Sequence, residues 1–148
     1  MDVRRVALYF LYRSIHGGNF SITHLKLQKL VYYAQAWSMA LRERRLFQEN
    51  LEAWLHGPVS RDLYREYREY GSNVIEPITQ LDFEIDSNDL GILEGVWELY
   101  GKYDGKYLET LTHQEDPWKN AWKKGMNSDI DINDMQEYYG RLLLQGAN

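Results

Sequence analysis

The sequence has no cysteine and no long hydrophobic run, and each absence excludes a class of protein. Without Cys among its 148 residues, the chain forms no disulfide framework, thiolate zinc site or thiol nucleophile. No apolar run approaches the roughly 20 residues that span a bilayer. Near the N-terminus, Arg13 and His16 interrupt the one stretch that resembles a signal peptide, and no small-residue cleavage site follows it. We therefore expect a soluble, cytoplasmic chain without a membrane partner.

Basic residues are also in short supply. The chain has 17 Lys and Arg against 22 Asp and Glu, which gives a formal net charge of −5. Sequence-independent affinity for nucleic acid comes mainly from Lys and Arg that neutralise phosphates, so nucleic acid is not an expected partner. A nucleic-acid-binding regulator is the second alternative, because two basic clusters would form one face if their helices adjoined. These clusters are Arg42, Arg44 and Arg45, and Lys119, Lys123 and Lys124.

Sequence motifs of catalysis are missing as well. The chain contains no GxxxxGK[ST] or GxGxxG loop, no GxSxG elbow and no HExxH pair. We therefore expect no nucleotide, no cofactor and no metal site, and we do not expect an enzyme.

Two of the four scattered histidines support a first alternative function. His56 with Glu52, and His113 with Glu115 and Asp116, could converge in space into a His/carboxylate site. Such a site could carry out hydrolysis, with or without a metal ion. The simpler interpretation assigns both histidines to hydrogen bonds in turns and helix caps, and we prefer it because such spacings arise often by chance.

The size and composition of the chain indicate one compact domain over residues 1–148. Three prolines make no proline-rich linker, and 44% of the residues are hydrophobic. Apolar residues recur at steps of three and four through most of the chain. This pattern predicts a mainly α fold of six to seven helices with a minor extended or β-hairpin element.

The second predicted helix is the longest and most regular. Ser21 or Thr23 can cap its N-terminus. Its apolar stripe, which we expect to be buried, consists of Leu27, Leu30, Ala34, Trp37 and Leu41. On the opposite side we expect solvated polar residues, namely Lys26, Lys29, Gln35 and Arg42. We expect this helix to be central in the fold.

Turn and cap residues divide the rest of the chain. Gly17-Gly18-Asn19 is expected to end the first helix, and Gly71 the third. Residues 46–58 are expected to be irregular or extended, with a turn at His56-Gly57-Pro58. Alternation over residues 73–86 predicts short strands or extended loops. The remaining signals are Ser87, Asp116-Pro117 and Asp131 as helix starts, and Gly105 as a helix breaker.

Several motifs in a fixed order resemble one known family. They are LKLQKLVYYAQAW at 25–37, LF at 46–47, EAWLHGPV at 52–59, LYREY at 63–67 and LTHQEDPW at 111–118. Together they resemble the Panacea, or SocA-like antitoxin, family, which includes phage-associated GepA-like proteins. The resemblance extends over roughly residues 5–125, and the shared order is more specific than any single motif.

The resemblance implies a mostly helical antitoxin that neutralises a cognate toxin protein by direct contact. Some relatives also deliver the toxin to a ClpXP-type protease, so we expect the same two classes of partner here. The family implies no catalytic residues.

A polar helix surface next to a rigid turn would provide fixed donors for a partner. We expect Lys26, Gln28 and Lys29 to point outward beside this turn, flanked by tyrosines. The candidate partner-binding residues are Lys26, Gln28, Lys29, Tyr33, His56, Gly57, Pro58, His113 and Trp118. The alternative for Gln28 and His113 is that they satisfy buried backbone groups around the turn.

Overall fold

The structure is a computed structural model that describes residues 1–16 and 20–146. These residues form seven α-helices and a three-stranded antiparallel sheet, which confirms the mainly α prediction. The helices are α1 (Val3–His16), α2 (His24–Arg42), α3 (Arg61–Tyr67), α4 (Ser87–Tyr100), α5 (Gly105–His113), α6 (Asp116–Lys124) and α7 (Ile132–Gly146). The strands are β1 (Glu52–Trp54), β2 (Gly57–Val59) and β3 (Ser128–Asp129).

Helix α2 lies at the centre and packs against α1, α4, α5 and α7. Thr23 caps it by accepting a hydrogen bond from the Lys26 amide, as the sequence predicts. The helix ends at Glu43, which adopts a left-handed conformation with φ of 57°. Its core residues, including Leu27 and Leu30, are fully buried.

The expectation of a solvated polar side on α2 is wrong. Lys26, Lys29 and Gln35 are only 4%, 0% and 1% exposed, whereas Leu41 of the apolar stripe is 55% exposed. Neighbouring elements cover α2 on several sides, whereas Leu41 in its last turn faces solvent. Because the long polar side chains of α2 lie inside the protein, each needs a hydrogen-bonding partner there.

The sheet has the order β2-β1-β3. Ala53 is opposite Pro58 in the β1–β2 hairpin and opposite Ser128 on the other side. The hairpin confirms the extended element predicted within residues 46–58, but its turn lies at Leu55-His56, and Gly57 and Pro58 belong to β2 instead of the turn. The sequence did not predict β3. Residues 73–86 form an extended loop that contacts the body where the Ile75 amide bonds the Ile22 carbonyl at 2.8 Å.

Several predicted helix boundaries shift by a residue. Asp86, not Ser87, caps α4. Glu115 occupies the cap position of α6, and Asp116 lies in its first turn. Asp131 accepts a hydrogen bond from the Asn133 amide at the start of α7, as predicted. Gly71 follows a 3₁₀ turn that extends α3.

Gly105 begins α5 instead of breaking the chain, because Asp104 caps the helix there. A Cβ atom at Gly105 would lie 2.9 Å from the Lys26 backbone nitrogen, so close packing against α2 explains this glycine. The predicted stop at residues 17–19 lies outside the described residues. In the described part of the chain, no helix has the length and hydrophobicity needed to cross a bilayer.

Candidate protein-binding groove

Gln28 of α2 holds the backbone that follows the hairpin. Its Oε1 atom accepts a hydrogen bond from the Ser60 amide at 2.8 Å, and its Nε2 atom donates to the Ser60 carbonyl at 3.2 Å. Both partners are buried. Gln28 therefore satisfies two backbone groups that would otherwise be unpaired, which confirms the alternative interpretation of this residue.

Lys29 holds the hairpin itself. Its Nζ atom donates to the Pro58 carbonyl at 3.0 Å, and the side chain is fully buried. Burial lowers the pKa of Lys29 to about 7, although the charge of Glu109 opposes this shift. Gly57 has φ of 105°, and a Cβ atom there would lie 2.6 Å from Lys29 Cε. Both the backbone conformation and the space beside Lys29 thus require glycine.

The expectation that Lys26, Gln28 and Lys29 point outward is wrong. Lys26 Nζ donates to the Gly101 carbonyl at 2.6 Å and lies 5.7 Å from the centroid of the Trp97 ring. All three side chains reach across buried space to backbone carbonyls, where a long side chain with a polar end satisfies groups that apolar residues cannot. Lys26 is therefore a structural residue on the α4 side of α2.

The tip of the hairpin is exposed. Leu55 is 60% exposed, and the His56 side chain is 68% exposed. The Nδ1 atom of His56 lies 3.0 Å from Oε2 of Glu109 on α5. Burial raises the pKa of Glu109, but the hydrogen bond and charge of His56 and the charge of Lys106 outweigh it and leave this pKa below its ordinary value.

His113 and Trp118 support the hairpin from below. Trp118 Nε1 donates to the Trp54 carbonyl at 2.9 Å, and the His113 ring lies 4.2 Å from the Trp118 ring between centroids. Burial lowers the pKa of His113, although the charge of Glu109 and the Leu55 backbone oppose this shift. The His113 Nε2 atom is buried and has no hydrogen-bond partner among the described residues. Trp118 thus satisfies a backbone carbonyl of the hairpin, while the same role for His113 stays a prediction.

Tyr33 lies away from the hairpin, in a cluster of Tyr32, Tyr33, Tyr139 and Glu115 that we call the carboxyl–tyrosine cluster. Tyr33 and Tyr139 donate to Glu115 Oε1 at 2.6 and 2.8 Å. The hydroxyls of Tyr32 and Tyr139 are 2.8 Å apart. Burial raises the pKa of Glu115 to about 7, and the tyrosine hydrogen bonds limit the rise. Because Tyr33 is fully buried, we do not propose it as a partner contact.

A groove of about 260 Å³ opens between the hairpin, α2 and α3. We call it the hairpin groove; its residues are His24, Leu25, Gln28, Lys29, Trp54, Leu55, His56, Val59, Tyr64 and Gly71. The polar ends of Gln28 and Lys29 are bonded to backbone, so the surface is largely apolar. The structure therefore brings Gln28, Lys29, His56, Gly57 and Pro58 to one place, as the sequence indicated.

A second groove, of about 590 Å³, lies among α2, α4, α5 and α7. We call it the aromatic groove; its residues are Trp37, Leu99, Tyr100, Tyr103, Tyr107, Leu111, Leu142, Leu143 and Gly146. Sequence reasoning missed it. In the sequence, the one local sign of this groove is a pair of tyrosines four residues apart, Tyr103 and Tyr107. In the structure their rings stack with centroids 4.2 Å apart.

The predicted His/carboxylate pairs do not form. Glu52 bonds Trp54 and Arg61, and Glu115 bonds two tyrosines. His56 pairs with Glu109 instead, which no local pattern indicated because 53 residues separate them. Within residues 1–16 and 20–146, no group of three His, Asp or Glu is placed to hold a metal ion.

Two of the basic residues that suggested an anion-binding face bond acidic neighbours. Arg42 pairs with Asp89 at 2.7 Å, and Lys119 approaches Asp116 at 3.9 Å. Their positive charge is thus partly neutralised within the protein.

These features define a small, mainly helical domain built on a buried central helix that holds a β-hairpin. A family model described as antitoxin SocA-like, Panacea domain matches residues 27–119, which is more than half of the chain. The chain belongs to this family, and an antitoxin role in general follows from that membership. The match runs from α2 into α6 and includes the whole hairpin. Comparison with curated proteins and with solved structures gave no match.

Proposed function

We propose that this protein is a cytoplasmic antitoxin that neutralises a cognate toxin by direct contact at the hairpin groove. The observation that carries the proposal is the exposed, largely apolar hairpin tip inside the region that the family shares. Leu55 at the hairpin tip is 60% exposed and Tyr64 on α3 is 38% exposed, and both line the groove. Large apolar and aromatic side chains around a shallow pocket are typical of protein–protein contacts.

The buried polar contacts support the same role. An interface residue contributes most when its position is fixed before binding, because less conformational freedom is then lost. Lys29 and Gln28 fix β2 and Ser60, and Trp118 fixes the backbone of Trp54. The hairpin thus presents Leu55 and His56 from a rigid support.

Co-expression with the toxic product of the adjacent gene tests the proposal. We expect the protein to restore growth and to copurify with the toxin. Leu55→Asp should abolish both effects, because it places a charge in the apolar contact. The matched control is Leu99→Asp in the aromatic groove, where Leu99 is 55% exposed, and it should retain both.

Failure of the wild-type protein to bind or protect against any neighbouring gene product would contradict the proposal. So would unimpaired protection by Leu55→Asp combined with loss of protection by Leu99→Asp, which would assign the contact to the other groove.

Direct blocking and delivery to a ClpXP-type protease predict different outcomes in a strain without that protease. Blocking preserves neutralisation there, whereas delivery loses it and also requires the toxin level to fall when the protease is present. We propose blocking as the primary mode, because the rigid groove supports a stable complex, and delivery as an additional step that the family resemblance implies.

The proposal contains no catalytic step. The hydrogen bond from His56 Nδ1 to Glu109 Oε2 aligns the hairpin tip. Turnover of a substrate by the purified protein, abolished by His56→Ala, would favour the hydrolase alternative instead.

A further inference from the structure

The rim of the hairpin groove carries a pattern of shape and charge that defines what can bind there. We infer that the groove accepts one aromatic side chain of the partner, a Trp or Tyr, flanked by acidic residues. This inference rests on the proposed function and names the chemistry of the toxin segment.

The size of the groove fits a single side chain. Its volume of about 260 Å³ lies below the roughly 300–1,000 Å³ of pockets that hold small molecules. Its walls include Leu25, Trp54, Leu55, Val59 and Tyr64, which offer apolar and ring surfaces. Aromatic side chains combine large apolar area with few rotatable bonds, so they are the usual anchors of such pockets.

One polar atom at the rim is suited to the polar end of Trp or Tyr. The Glu109 carboxylate only accepts hydrogen bonds, so the Nδ1 atom of His56 must carry the proton that bonds it at 3.0 Å. In the neutral ring the other nitrogen, Nε2, is then an acceptor. An indole N–H or a phenol O–H can donate to it, which Phe and Leu cannot do.

The charged side chains nearest to Tyr64 along its face of α3 are arginines, although the chain as a whole carries −5. Arg61 lies three residues before Tyr64 and Arg68 four residues after it. Arg68 begins the 3₁₀ turn that continues α3 and keeps a helical conformation, so both arginines lie on the Tyr64 side. Arg61 pairs with Glu52, but exposed Arg68 has no side-chain partner among the described residues. Glu66 approaches Arg4 of α1, away from this face. Acidic residues beside the anchor would therefore complement Arg68.

Short peptides of defined sequence test this chemistry without the toxin. The probes are blocked pentapeptides with a central Trp between acidic residues, the same peptide with a central Ala, and a central Trp between lysines. Each is titrated into the full-length protein and followed by amide chemical shifts. We expect the acidic Trp peptide to shift the amides of Leu55, His56 and Tyr64, and to bind about tenfold more tightly than either of the others.

Charge reversal supplies the matched comparison. Arg68→Glu should abolish the preference for the acidic peptide, whereas Arg44→Glu, at another exposed arginine, should leave it unchanged. Equal thermal stability of the two variants establishes that neither has unfolded. Equal affinity for acidic and basic peptides, no binding at all, or shifts confined to the aromatic groove would overturn the inference.

The outcomes also separate this inference from the proposed function. Peptide binding without any toxin complex would leave the groove chemistry standing and remove the antitoxin role. If Arg68→Glu and excess acidic peptide both leave toxin binding unchanged, the antitoxin role stands and the proposed groove chemistry is wrong.

Discussion

The two grooves of this protein differ in what lies beneath them. The hairpin groove rests on Gln28 and Lys29, whose polar ends bond backbone groups of the hairpin segment. The aromatic groove rests on the carboxyl–tyrosine cluster, since the Tyr33 ring stacks on the groove residue Tyr100 at 4.0 Å. The support of the hairpin groove fixes the backbone of the hairpin. The support of the aromatic groove is a cluster of buried tyrosines around a carboxyl group that can ionise.

The grooves differ also in their relation to the family. Apart from His24 and Leu25, the hairpin groove lies inside the matched residues 27–119. The aromatic groove takes Leu142, Leu143 and Gly146 from α7, beyond that match. A function shared by the family is therefore better placed at the hairpin. Substitutions at the supports and rims of the two grooves test this distinction.

The largest effect is expected for Gly57→Ala. The new Cβ would lie 2.6 Å from Lys29 Cε at a φ of 105°. Overpacking together with a strained backbone should lower the free energy of unfolding by about 4 kcal/mol. The control is Gly95→Ala in α4, where a Cβ meets no atom within 4 Å. This substitution should raise the free energy of unfolding by about 0.5–1 kcal/mol. Urea unfolding measures both, and equal midpoints would refute the proposed support.

Replacement of Glu115 by Gln tests the other support through pH. Glu115 has an ordinary pKa of 4.5, and burial raises its pKa to about 7 in the folded protein. The protonated Glu115 carboxyl therefore stabilises the fold fully below pH 4.5. As pH rises from 4.5 through 7, this contribution to the free energy of unfolding, about 3 kcal/mol, is lost. Gln cannot ionise and lacks this loss. The free energy of unfolding of Glu115→Gln, relative to that of wild type, should therefore rise by about 3 kcal/mol between pH 4.5 and 8.

His24 makes this comparison necessary. Burial lowers its pKa from 6.5 to about 4, so its contribution rises with pH over an overlapping interval and opposes that of Glu115. Because His24 is present in both proteins, the difference between variant and wild type isolates Glu115. A difference that stays constant with pH would show that the carboxyl does not titrate as described.

Two glutamines of α2 allow a comparison of matched chemistry. Gln28 bonds the backbone of Ser60, and Gln35 bonds the Leu46 amide and the Phe47 carbonyl, both at 2.7 Å. Gln28→Leu and Gln35→Leu should each destabilise by about 2 kcal/mol, because buried backbone groups lose their partners. Only Gln28→Leu should speed hydrogen exchange of the Ser60 amide. Equal rates in both variants would contradict the assigned contact.

The smallest effect on stability is expected at the rims. Because the His56 side chain is 68% exposed, His56→Ala should cost less than about 1 kcal/mol despite its pair with Glu109. Tyr107→Ala, at the rim of the aromatic groove, should be similarly mild because Tyr107 is 49% exposed. Thermal unfolding measures both, and a loss above about 2 kcal/mol at His56 would make that residue part of the support.

Local patterns predicted the number of helices and the hairpin, with several boundaries a residue off. Thr23 and Asp131 cap helices because a short polar side chain reaches amides in its own first turn. The sequence also predicted a turn near His56, although the turn lies at Leu55-His56 and Gly57-Pro58 belong to β2. These features depend on neighbours in sequence, so the sequence alone identifies them.

Burial of α2 could not be predicted in the same way. An apolar stripe places one face in the core, but it does not show how many elements cover the other faces. Lys29, read as solvated, is buried because the hairpin folds over it, and Leu41, read as buried, is exposed. The pairing of His56 with Glu109 and the aromatic groove that α4 and α7 both line likewise depend on distant segments.

Amide hydrogen exchange of the protein, alone and in complex with its toxin, tests the central claim most directly. The account predicts slowed exchange over residues 54–64, at the hairpin tip and the start of α3, with residues 99–111 unchanged. Protection of residues 99–111 and of α7, with residues 54–64 exchanging as in the free protein, would contradict it.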